Sequence, residues 1–283
     1  MKKILFQFDT DALPSTFDRV VAIDAGVDEL FSYGGITPDN VVGLVHGGMF
    51  TRGPGDLTNT AVFIGGSNVE AGEALLKKVT KQFFGPIRMS VMIDSNGSNT
   101  TAAAAVRAAA KQLDLKSTEA LVLGGTGPVG HRAAQILASL GSKVHVSSRS
   151  AERAAETCQA IRKAVPEANV EPCGGADSES KLGVCQLVIA AGAAGVQFFS
   201  EAQWTASKPL KVAIDLNAVA PAGLEGIGLT DKAVAKGSIT CYGPIGVGGT
   251  KMKIHRAAVQ RLFDQNDQVL DTAAIYRIAE SLG

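Results

Sequence analysis

Short apolar runs alternate with amphipathic segments along almost the whole sequence, and this alternation restricts the fold more than any other feature. The runs at residues 61–64, 120–123, 187–190 and 212–215 have the length and composition of buried strands. The segments between them repeat their apolar positions at the spacing of helices. Strands and helices in alternation are typical of proteins with a mostly parallel sheet. We therefore predict an α/β fold.

The size and charge of the chain exclude several classes of protein. It has 283 residues, 46% of them hydrophobic, and its 27 basic residues balance its 27 acidic ones. This composition is not that of a disordered chain, nor of a protein that binds nucleic acid or a membrane surface through bulk positive charge. No apolar segment approaches the ~20 residues of a membrane span. The four cysteines form no CxxC pair, which suits a reducing compartment. We expect a cytoplasmic protein with no nucleic-acid or membrane partner.

The length allows two domains of ordinary size. The polar segment at residues 114–117 separates two strand–helix series, and we place the domain boundary there. Residues 1–116 are predicted to form the first α/β domain. Residues 117–250 are predicted to form a second α/β domain of Rossmann type, with a doubly wound parallel sheet. The helices predicted within residues 251–283 follow the last strand, and we expect them to cross back and complete the first domain.

A glycine-rich turn opens the second series. Gly125, Gly127 and Gly130 form a GxGxxG pattern that follows an apolar strand and begins a helix. In this context the first glycine permits a tight turn, the second lets the backbone approach a pyrophosphate, and the third lets helix and strand pack closely. The free N–H groups at the helix start attract phosphate. The sequence thus predicts a dinucleotide site whose phosphates lie against Gly125, Thr126, Gly127, Pro128, Val129 and Gly130.

The end of the next strand indicates which dinucleotide is bound. NAD sites usually carry Asp or Glu about 20 residues beyond the glycines, where it binds the ribose hydroxyls. This chain has Ser148 and Arg149 there instead. A hydroxyl and a guanidinium suit the 2′-phosphate of NADP, which a carboxylate would repel. We therefore predict NADP, with NAD as the alternative. Under the plainer interpretation, serines of this segment only cap the next helix and Arg149 is solvated.

Two further polar segments are candidates for binding. Residues 94–101, DSNGSNTT, follow a predicted strand, and ligands of open α/β sheets bind at such strand ends. Residues 243–253, GPIGVGGTKMK, are predicted to form a glycine-rich loop after the last strand, in which Gly248 and Gly249 allow a flat nicotinamide to approach. Their plainer interpretations are a helix cap and a flexible connector. The four histidines are scattered, and we predict neither a metal site nor a nucleophilic triad.

Several strings resemble the bacterial NAD(P)-dependent methylene-tetrahydromethanopterin dehydrogenases. The similarity extends over essentially the whole chain, and the most specific strings are DSNGSNTTAAA and IGVGGTKMK. The resemblance implies a pterin-binding domain and a Rossmann NADP domain separated by a cleft, in a homo-oligomer built as a trimer or hexamer. It also implies that tetrahydromethanopterin is the co-substrate in one-carbon, formaldehyde-level oxidation. The residues it assigns to the pterin are Asp9, Phe17, Asp94, Asn96, Asn99, Lys251 and Lys253.

The implied reaction explains why the sequence shows no acid–base pair. The two nitrogens that flank the methylene carbon of the pterin can expel a hydride directly to NADP⁺ and share the charge of the methenyl product. Catalysis then consists of holding the reactants together. No catalytic residue is certain; Asp94 and Lys251 are candidates for orientation. The alternatives are a methylene-tetrahydrofolate dehydrogenase, another two-domain NADP oxidoreductase of the shikimate-dehydrogenase type, and a non-catalytic NADP sensor.

Overall fold

A computed structural model describes residues 1–282 and shows strands and helices in alternation. The elements of the first part of the chain are β1 (Ile4–Asp9), α1 (Thr16–Asp24), β2 (Glu29–Tyr33), α2 (Val42–Phe50), β3 (Thr60–Gly65), α3 (Val69–Thr80), β4 (Ser90–Ile93) and α4 (Ser98–Ala110). Those of the second part are β5 (Glu119–Leu123), α5 (Pro128–Ser139), β6 (Lys143–Ser148), α6 (Ala151–Ala164), β7 (Val170–Gly174), α7 (Ser178–Leu182), β8 (Leu187–Ala190), α8 (Glu201–Thr205), β9 (Val212–Asp215), β10 (Lys232–Lys236), β11 (Ile239–Tyr242), α9 (Pro244–Arg261), β12 (Val269–Leu270) and α10 (Thr272–Ser281).

The chain divides into two compact units. Unit 1 contains Met1–Thr100 and the residues from Met252 onward, and unit 2 contains Thr101–Lys251. The divisions fall inside α4 and α9, whereas the predicted domain boundaries lie at 116/117 and 250/251. The C-terminal residues thus belong to the same unit as the N-terminal ones. The assignment of one domain to the pterin and the other to the nucleotide stays a prediction.

The sheet of unit 1 has the order β12-β4-β3-β1-β2, and all its strand pairs are parallel. Strand β3 is buried throughout, as expected for a strand with neighbours on both sides and helices on both faces. The hydrophobic core of unit 1 packs Phe8, Ile64 and Leu75 against Met49 and Met89. The chain adds β2 on one side of β1 and then crosses to β3 on the other side. Unit 1 therefore has its topological switch point between the carboxyl ends of β1 and β3.

The sheet of unit 2 has the order β10-β11-β9-β8-β5-β6-β7. Only β10 runs antiparallel, at the edge, and the strands from β11 to β7 are parallel. This is a doubly wound sheet, and it confirms the predicted fold class. The switch point lies between β5 and β8, because the chain extends the sheet first through β6 and β7 and then in the other direction.

The prediction was wrong for the glycine-rich segment at residues 243–253. It is not a loop, because α9 already begins at Pro244. Pro is accepted in a first helical turn, where its missing N–H has no partner to lose. Gly243 and Gly246 have no room for a side chain, since a Cβ on either would overlap backbone carbonyl oxygens within residues 228–231. Close packing of the helix start therefore outweighs the poor helix propensity of glycine.

Three strands and one short helix were not predicted: β2, β10, β12 and α7. Strand β10 is largely exposed and β12 has two residues, so neither carries the apolar run of a buried strand. In the part of the chain that the structure describes, no helix combines the length and the apolar character needed to cross a bilayer.

Candidate functional site

The glycine-rich turn after β5 is packed so tightly that side chains are excluded from it. Gly124 has φ +68°, and a Cβ there would lie 2.6 Å from the Cα of Gly192 in the loop after β8. A Cβ on Gly130 would lie 2.9 Å from the Cα of Gly125. The left-handed residue of the turn is thus Gly124. Gly125, the first glycine of the GxGxxG pattern, follows it directly and is held against the side chain of Val146.

Helix α5 presents an uncapped N-terminus at this turn. Gly127 is the N-cap residue and has no side chain to bond the first N–H groups, and Pro128 occupies the first turn. The N–H groups of the next residues have no intrahelical acceptor and point out along the axis. They combine with the positive end of the helix dipole, and the turn can therefore receive a phosphate.

The end of β6 supplies hydroxyl groups and guanidinium groups. Ser150 caps α6 by accepting the N–H of Arg153 at 3.2 Å, so the plainer interpretation holds for this serine. Ser148 accepts the N–H of Ser150 at 3.3 Å, and its Oγ lies 3.4 Å from the hydroxyl of Thr126. This contact joins the strand end to the glycine-rich turn.

A cavity of about 590 Å³ opens at the switch point of unit 2. It extends from the turn after β5 to the ends of β6 and β7 and to the loop after β8. Its lining comprises two arginines and no carboxylate. The lining residues are Leu123, Gly124, Thr126, Gly127, Ser147, Ser148, Arg149, Ser150, Arg153, Gly175, Ser178, Ala191, Gly192, Ala193, Val196, Gln197, Phe198 and Phe199. The cavity therefore has the positive charge that a site for a phosphorylated ligand requires.

Sequence reasoning missed the loop after β8, which forms one wall of the cavity. The ring of Phe198 lies so close to Gly192 that a Cβ there would be 2.6 Å from Cε2 of the ring. The N–H of Phe198 donates to the carbonyl of Gly223 at 2.8 Å, which fixes the loop backbone at this residue. Strand β8 was predicted, but its position beside β5 was not. The strand order alone brings this loop to the glycine-rich turn.

The next strand end in the same sheet carries a carboxyl group that was also missed. Asp215 closes β9 and is buried. It accepts the N–H of Asn217 at 2.9 Å and that of Leu224 at 2.8 Å. Burial raises the pKa of Asp215, although its backbone hydrogen bonds act in the opposite direction. These bonds make it the anchor of the loop over residues 216–224.

In unit 1, polar residues meet at the carboxyl ends of β1, β3 and β4. Asp9 ends β1 and accepts the N–H of Asp11 and that of Ser15, both at 2.9 Å. The loop after β4 is tied to β3, because the N–H of Asp94 donates to Ile64 at 3.1 Å and that of Asn96 to Gly66 at 2.7 Å. The structure therefore places Asp9, Asp94 and Asn96, three of the residues predicted for the pterin, at the same end of this sheet.

The predicted pterin residues of this edge differ in how much of their surface remains available. Asp94 and Asn99 are buried. Asp94 accepts the N–H of Asn99 and that of Thr100 at 2.9 and 3.0 Å, and Asn99 donates to Ile93 at 2.7 Å. Both side chains thus hold the start of α4. Asn96, by contrast, is exposed and has a left-handed backbone with φ 56°.

The remaining predicted residues lie on helices. Phe17, on α1, has 49% of its surface exposed. Lys251 and Lys253 belong to α9, where Lys251 is half-buried and Lys253 exposed. Gly248 and Gly249 lie inside the same helix, and a Cβ on either would meet no atom within 4 Å. The fold itself therefore does not require glycine at these two positions.

Sequence reasoning also missed His255, which is buried in unit 1. Its ring stacks on Phe63 with centroids 5.6 Å apart, lies 6.3 Å from the ring of Phe17, and has Nε2 3.9 Å from Oδ1 of Asp18. One signal was present in the sequence, because His255 follows the glycine-rich segment on a predicted helix. Nothing in the sequence indicates that α9 packs against α1 and β3.

Comparisons with known proteins identify relatives over the full length. Residues 16–96 match the family described as methylene-tetrahydromethanopterin dehydrogenase, N-terminal. The chain is 42% identical to the bifunctional protein MdtA of Methylorubrum extorquens, over 99% of both chains. It is 30% identical to the NAD(P)-dependent methylenetetrahydromethanopterin dehydrogenase of the same organism, over 94% of this chain and 93% of the relative. The quinate dehydrogenase of Corynebacterium glutamicum, solved with NAD, has the same fold, with a TM-score of 0.55 at 12% identity over 99% of both chains.

Proposed function

This chain belongs to the methylene-tetrahydromethanopterin dehydrogenase family, and from that membership we propose that it oxidises methylene-tetrahydromethanopterin to the methenyl cation with NADP⁺ as hydride acceptor. It is an NAD(P)-dependent oxidoreductase. The observation that carries the choice of NADP is the cavity at the switch point of unit 2. It joins a phosphate-binding turn to two guanidinium groups without a carboxylate.

The preference for NADP follows from the charges at the end of β6. Arg149 and Arg153 both line the cavity, with the hydroxyl of Ser148 beside them. Guanidinium groups bind phosphate oxygens through paired, charge-assisted hydrogen bonds. The acidic residue that would bind the ribose hydroxyls of NAD is missing from the lining. We propose that Ser148 and Arg149 bind the 2′-phosphate and that Gly125, Thr126, Gly127 and the start of α5 bind the pyrophosphate.

The proposed pterin residues divide into two groups by burial. Phe17, Asn96 and Lys253 expose surface and can contact a substrate. The buried carboxylates of Asp9 and Asp94 act by fixing the loops that end β1 and precede α4, since they bond backbone N–H groups. Asn99 belongs with them. Lys251 suits the phosphate of the nucleotide or the polar tail of the pterin, because a cation near the methenyl product would oppose its charge.

In the proposed reaction, the main role of the protein is to position the two reactants. When bound, the nicotinamide accepts the hydride, and the nitrogens of the pterin share the resulting positive charge. The chain's own groups hold the reactants. The α5 N-terminus and Arg149 fix the nucleotide, while the exposed face of Phe17 offers a flat surface to the pterin. We further propose that Gly248 and Gly249 are small so that the nicotinamide can approach α9.

We also propose that the protein works as a homo-oligomer, a trimer or hexamer, in the cytoplasm. Three apolar side chains on and before α1, apart from Phe17, are strongly exposed: Leu13, Val20 and Ile23. Such a group of side chains is typical of a surface that another molecule covers. All four cysteines are free thiols and buried, which suits a reducing compartment. Light scattering coupled to gel filtration measures the oligomeric state.

The test is an assay of the purified protein with each of the two reduced pterins and each of the two nicotinamide nucleotides. We expect fastest turnover with methylene-tetrahydromethanopterin and NADP⁺, followed at the absorbance of NADPH. Faster turnover of methylene-tetrahydrofolate would reassign the substrate. Binding of NADP⁺ in calorimetry without turnover of either pterin would overturn the enzymatic proposal.

A further inference from the structure

Two adjacent residues of α1 reach the same buried imidazole. The ring of Phe17 and the carboxylate of Asp18 both approach His255, at 6.3 Å between ring centroids and 3.9 Å between Oδ1 and Nε2. The ring of His255 also stacks on the ring of Phe63, with centroids 5.6 Å apart. Phe17 and Asp18 therefore face the same part of unit 1, and His255 contacts both side chains.

These residues lie at the switch point of unit 1. A Cβ on Gly65, at the end of β3, would lie 3.2 Å from Oδ2 of Asp9 and 3.6 Å from Oδ2 of Asp18. The two carboxylates thus stand side by side where parallel sheets bind ligands. Asp9 is fully buried and bonds two backbone N–H groups. The side chain of Asp18 retains 13% of its surface, and it is the carboxylate of this pair that a ligand can reach.

We propose that Asp18 determines specificity for the pterin, and that His255 is the residue that positions it. A pterin is a flat ring with a 2-amino-4-oxo-pyrimidine edge, which carries two neighbouring N–H donors. A carboxylate accepts such a pair of donors with both oxygens. Phe17 exposes an aromatic surface next to Asp18, so one helical turn offers both a stacking face and an acceptor for the edge. This inference rests on the function proposed above.

The role of His255 is one of alignment rather than chemistry. It is fully buried, so we do not expect it to contact the substrate itself. Its two ring contacts fix the plane of the imidazole, and that plane directs Nε2 toward Asp18. A phenyl ring at this position would keep the stacking and lose the nitrogen.

The experiment compares Asp18→Asn with Asp24→Asn, which makes the same change of charge at an exposed position of the same helix. An amide presents a donor where the pterin also presents one. We therefore expect the KM for methylene-tetrahydromethanopterin to rise about tenfold to a hundredfold in Asp18→Asn, with kcat changed less. Asp24→Asn should match the wild type, and the NADP⁺ affinity of both variants, measured by calorimetry, should be unchanged. Asp18→Glu should recover part of the affinity.

His255→Phe tests the positioning role. We expect a rise in KM for the pterin that is smaller than that of Asp18→Asn, at a melting temperature close to that of the wild type. In the double variant, the loss of binding free energy should be smaller than the sum of the losses in the two single variants, because both substitutions act on one contact. Additive effects would overturn the assignment of His255 as the positioning residue.

A measurement on the wild-type protein remains decisive if a variant fails to fold. A 2-desamino analogue of the substrate lacks one of the two donors and should show the raised KM on the wild-type enzyme. An unchanged KM would overturn the inference, as would equal KM values for Asp18→Asn and Asp24→Asn. Failure of the proposed function is distinguishable, because the wild-type enzyme would then not turn over methylene-tetrahydromethanopterin at all.

Discussion

The hydroxyl of Thr100 donates a 2.6 Å hydrogen bond to the carboxylate of Asp94. The same carboxylate accepts two backbone N–H groups at the start of α4. Three donors on one buried side chain are the arrangement of a helix cap. Asp94 therefore supports the candidate pterin site by holding its loop in place, and Asn96 is the member of the DSNGSN segment that offers its side chain to solvent.

We predict that Asp94→Ala lowers both stability and turnover, whereas Asn96→Gly lowers turnover alone. Loss of the Asp94 cap leaves buried donors without an acceptor, a cost of about 1–3 kcal/mol in the free energy of unfolding. Glycine keeps the left-handed backbone of residue 96 and removes only the side chain. Thermal melts and pterin KM values test both. A loss of NADP⁺ affinity in either variant would contradict the assignment of this segment to the pterin.

Replacement of Arg149 should change the choice of nucleotide. In Arg149→Ala we expect the KM for NADP⁺ to rise about tenfold or more while that for NAD⁺ changes little, because a charge-assisted hydrogen bond contributes ~1.5–3 kcal/mol. The control is Lys208→Ala, an exposed cation of unit 2 that does not line the cavity. Equal effects on the two nucleotides would remove Arg149 from the 2′-phosphate site.

Glycines of the two glycine-rich segments should respond differently to alanine. Gly130→Ala should destabilise the protein and weaken NADP⁺ binding, since its Cβ would press into the turn at Gly124 and Gly125. Gly248→Ala has open space and lies within a helix, so we expect up to about 1 kcal/mol of added stability. If a bound nicotinamide does approach α9, the stabilised Gly248→Ala variant will still have a raised KM for NADP⁺. Unchanged kinetics would remove Gly248 from the cofactor site.

Stability in acid should depend on Glu119. Burial raises the pKa of Glu119, but hydrogen bonds from His145 at 2.6 Å and Lys143 at 3.1 Å outweigh it and hold the pKa below its usual range. The ionised carboxylate thus stabilises the folded protein above the pKa of the unfolded chain, near pH 4.5, and this contribution is lost as the pH falls through the lower folded value.

The measurement is the melting temperature from pH 3 to 7. Glu119→Gln should flatten the fall below about pH 4.5 and lower the melting temperature at neutral pH. Glu171→Gln is the matched variant at the other ring nitrogen of His145, where the contact is longer, 3.4 Å, and the carboxylate is more exposed than that of Glu119. It should change the curve less. A Glu119→Gln curve parallel to that of the wild type would contradict this account.

Hydride transfer should be insensitive to pH. Since the product cation is stabilised by its own nitrogens, no side chain has to gain or lose a proton in this step. We expect single-turnover rates with preformed methylene-pterin to be nearly flat from about pH 6 to 8. The reverse reaction with 4-deuterated NADPH should show a primary isotope effect, which shows that domain motion or product release does not mask the step. An isotope-sensitive rate that falls tenfold per pH unit would require an ionising residue.

The sequence by itself determined the α/β class and the glycine-rich turn that follows β5. Both depend on local rules: a buried parallel strand must be apolar, and only glycine fits where Gly130 lies against the backbone of the turn. The sequence also placed Ser148 and Arg149 at the end of β6, because that strand end follows the glycine-rich turn at a spacing of about 20 residues in folds of this type.

Only the tertiary structure decided which of the polar residues remain available to a ligand. The sequence predicted Asp9 as a pterin ligand and did not single out Asp18, but Asp9 is fully buried under two backbone N–H groups, whereas the side chain of Asp18 keeps 13% of its surface. The pairing of Asp18 with His255 joins residues 237 positions apart through the packing of α1 against α9. Such contacts depend on strand order and helix packing, which are set by the burial of the whole core, and no local spacing in the sequence encodes them.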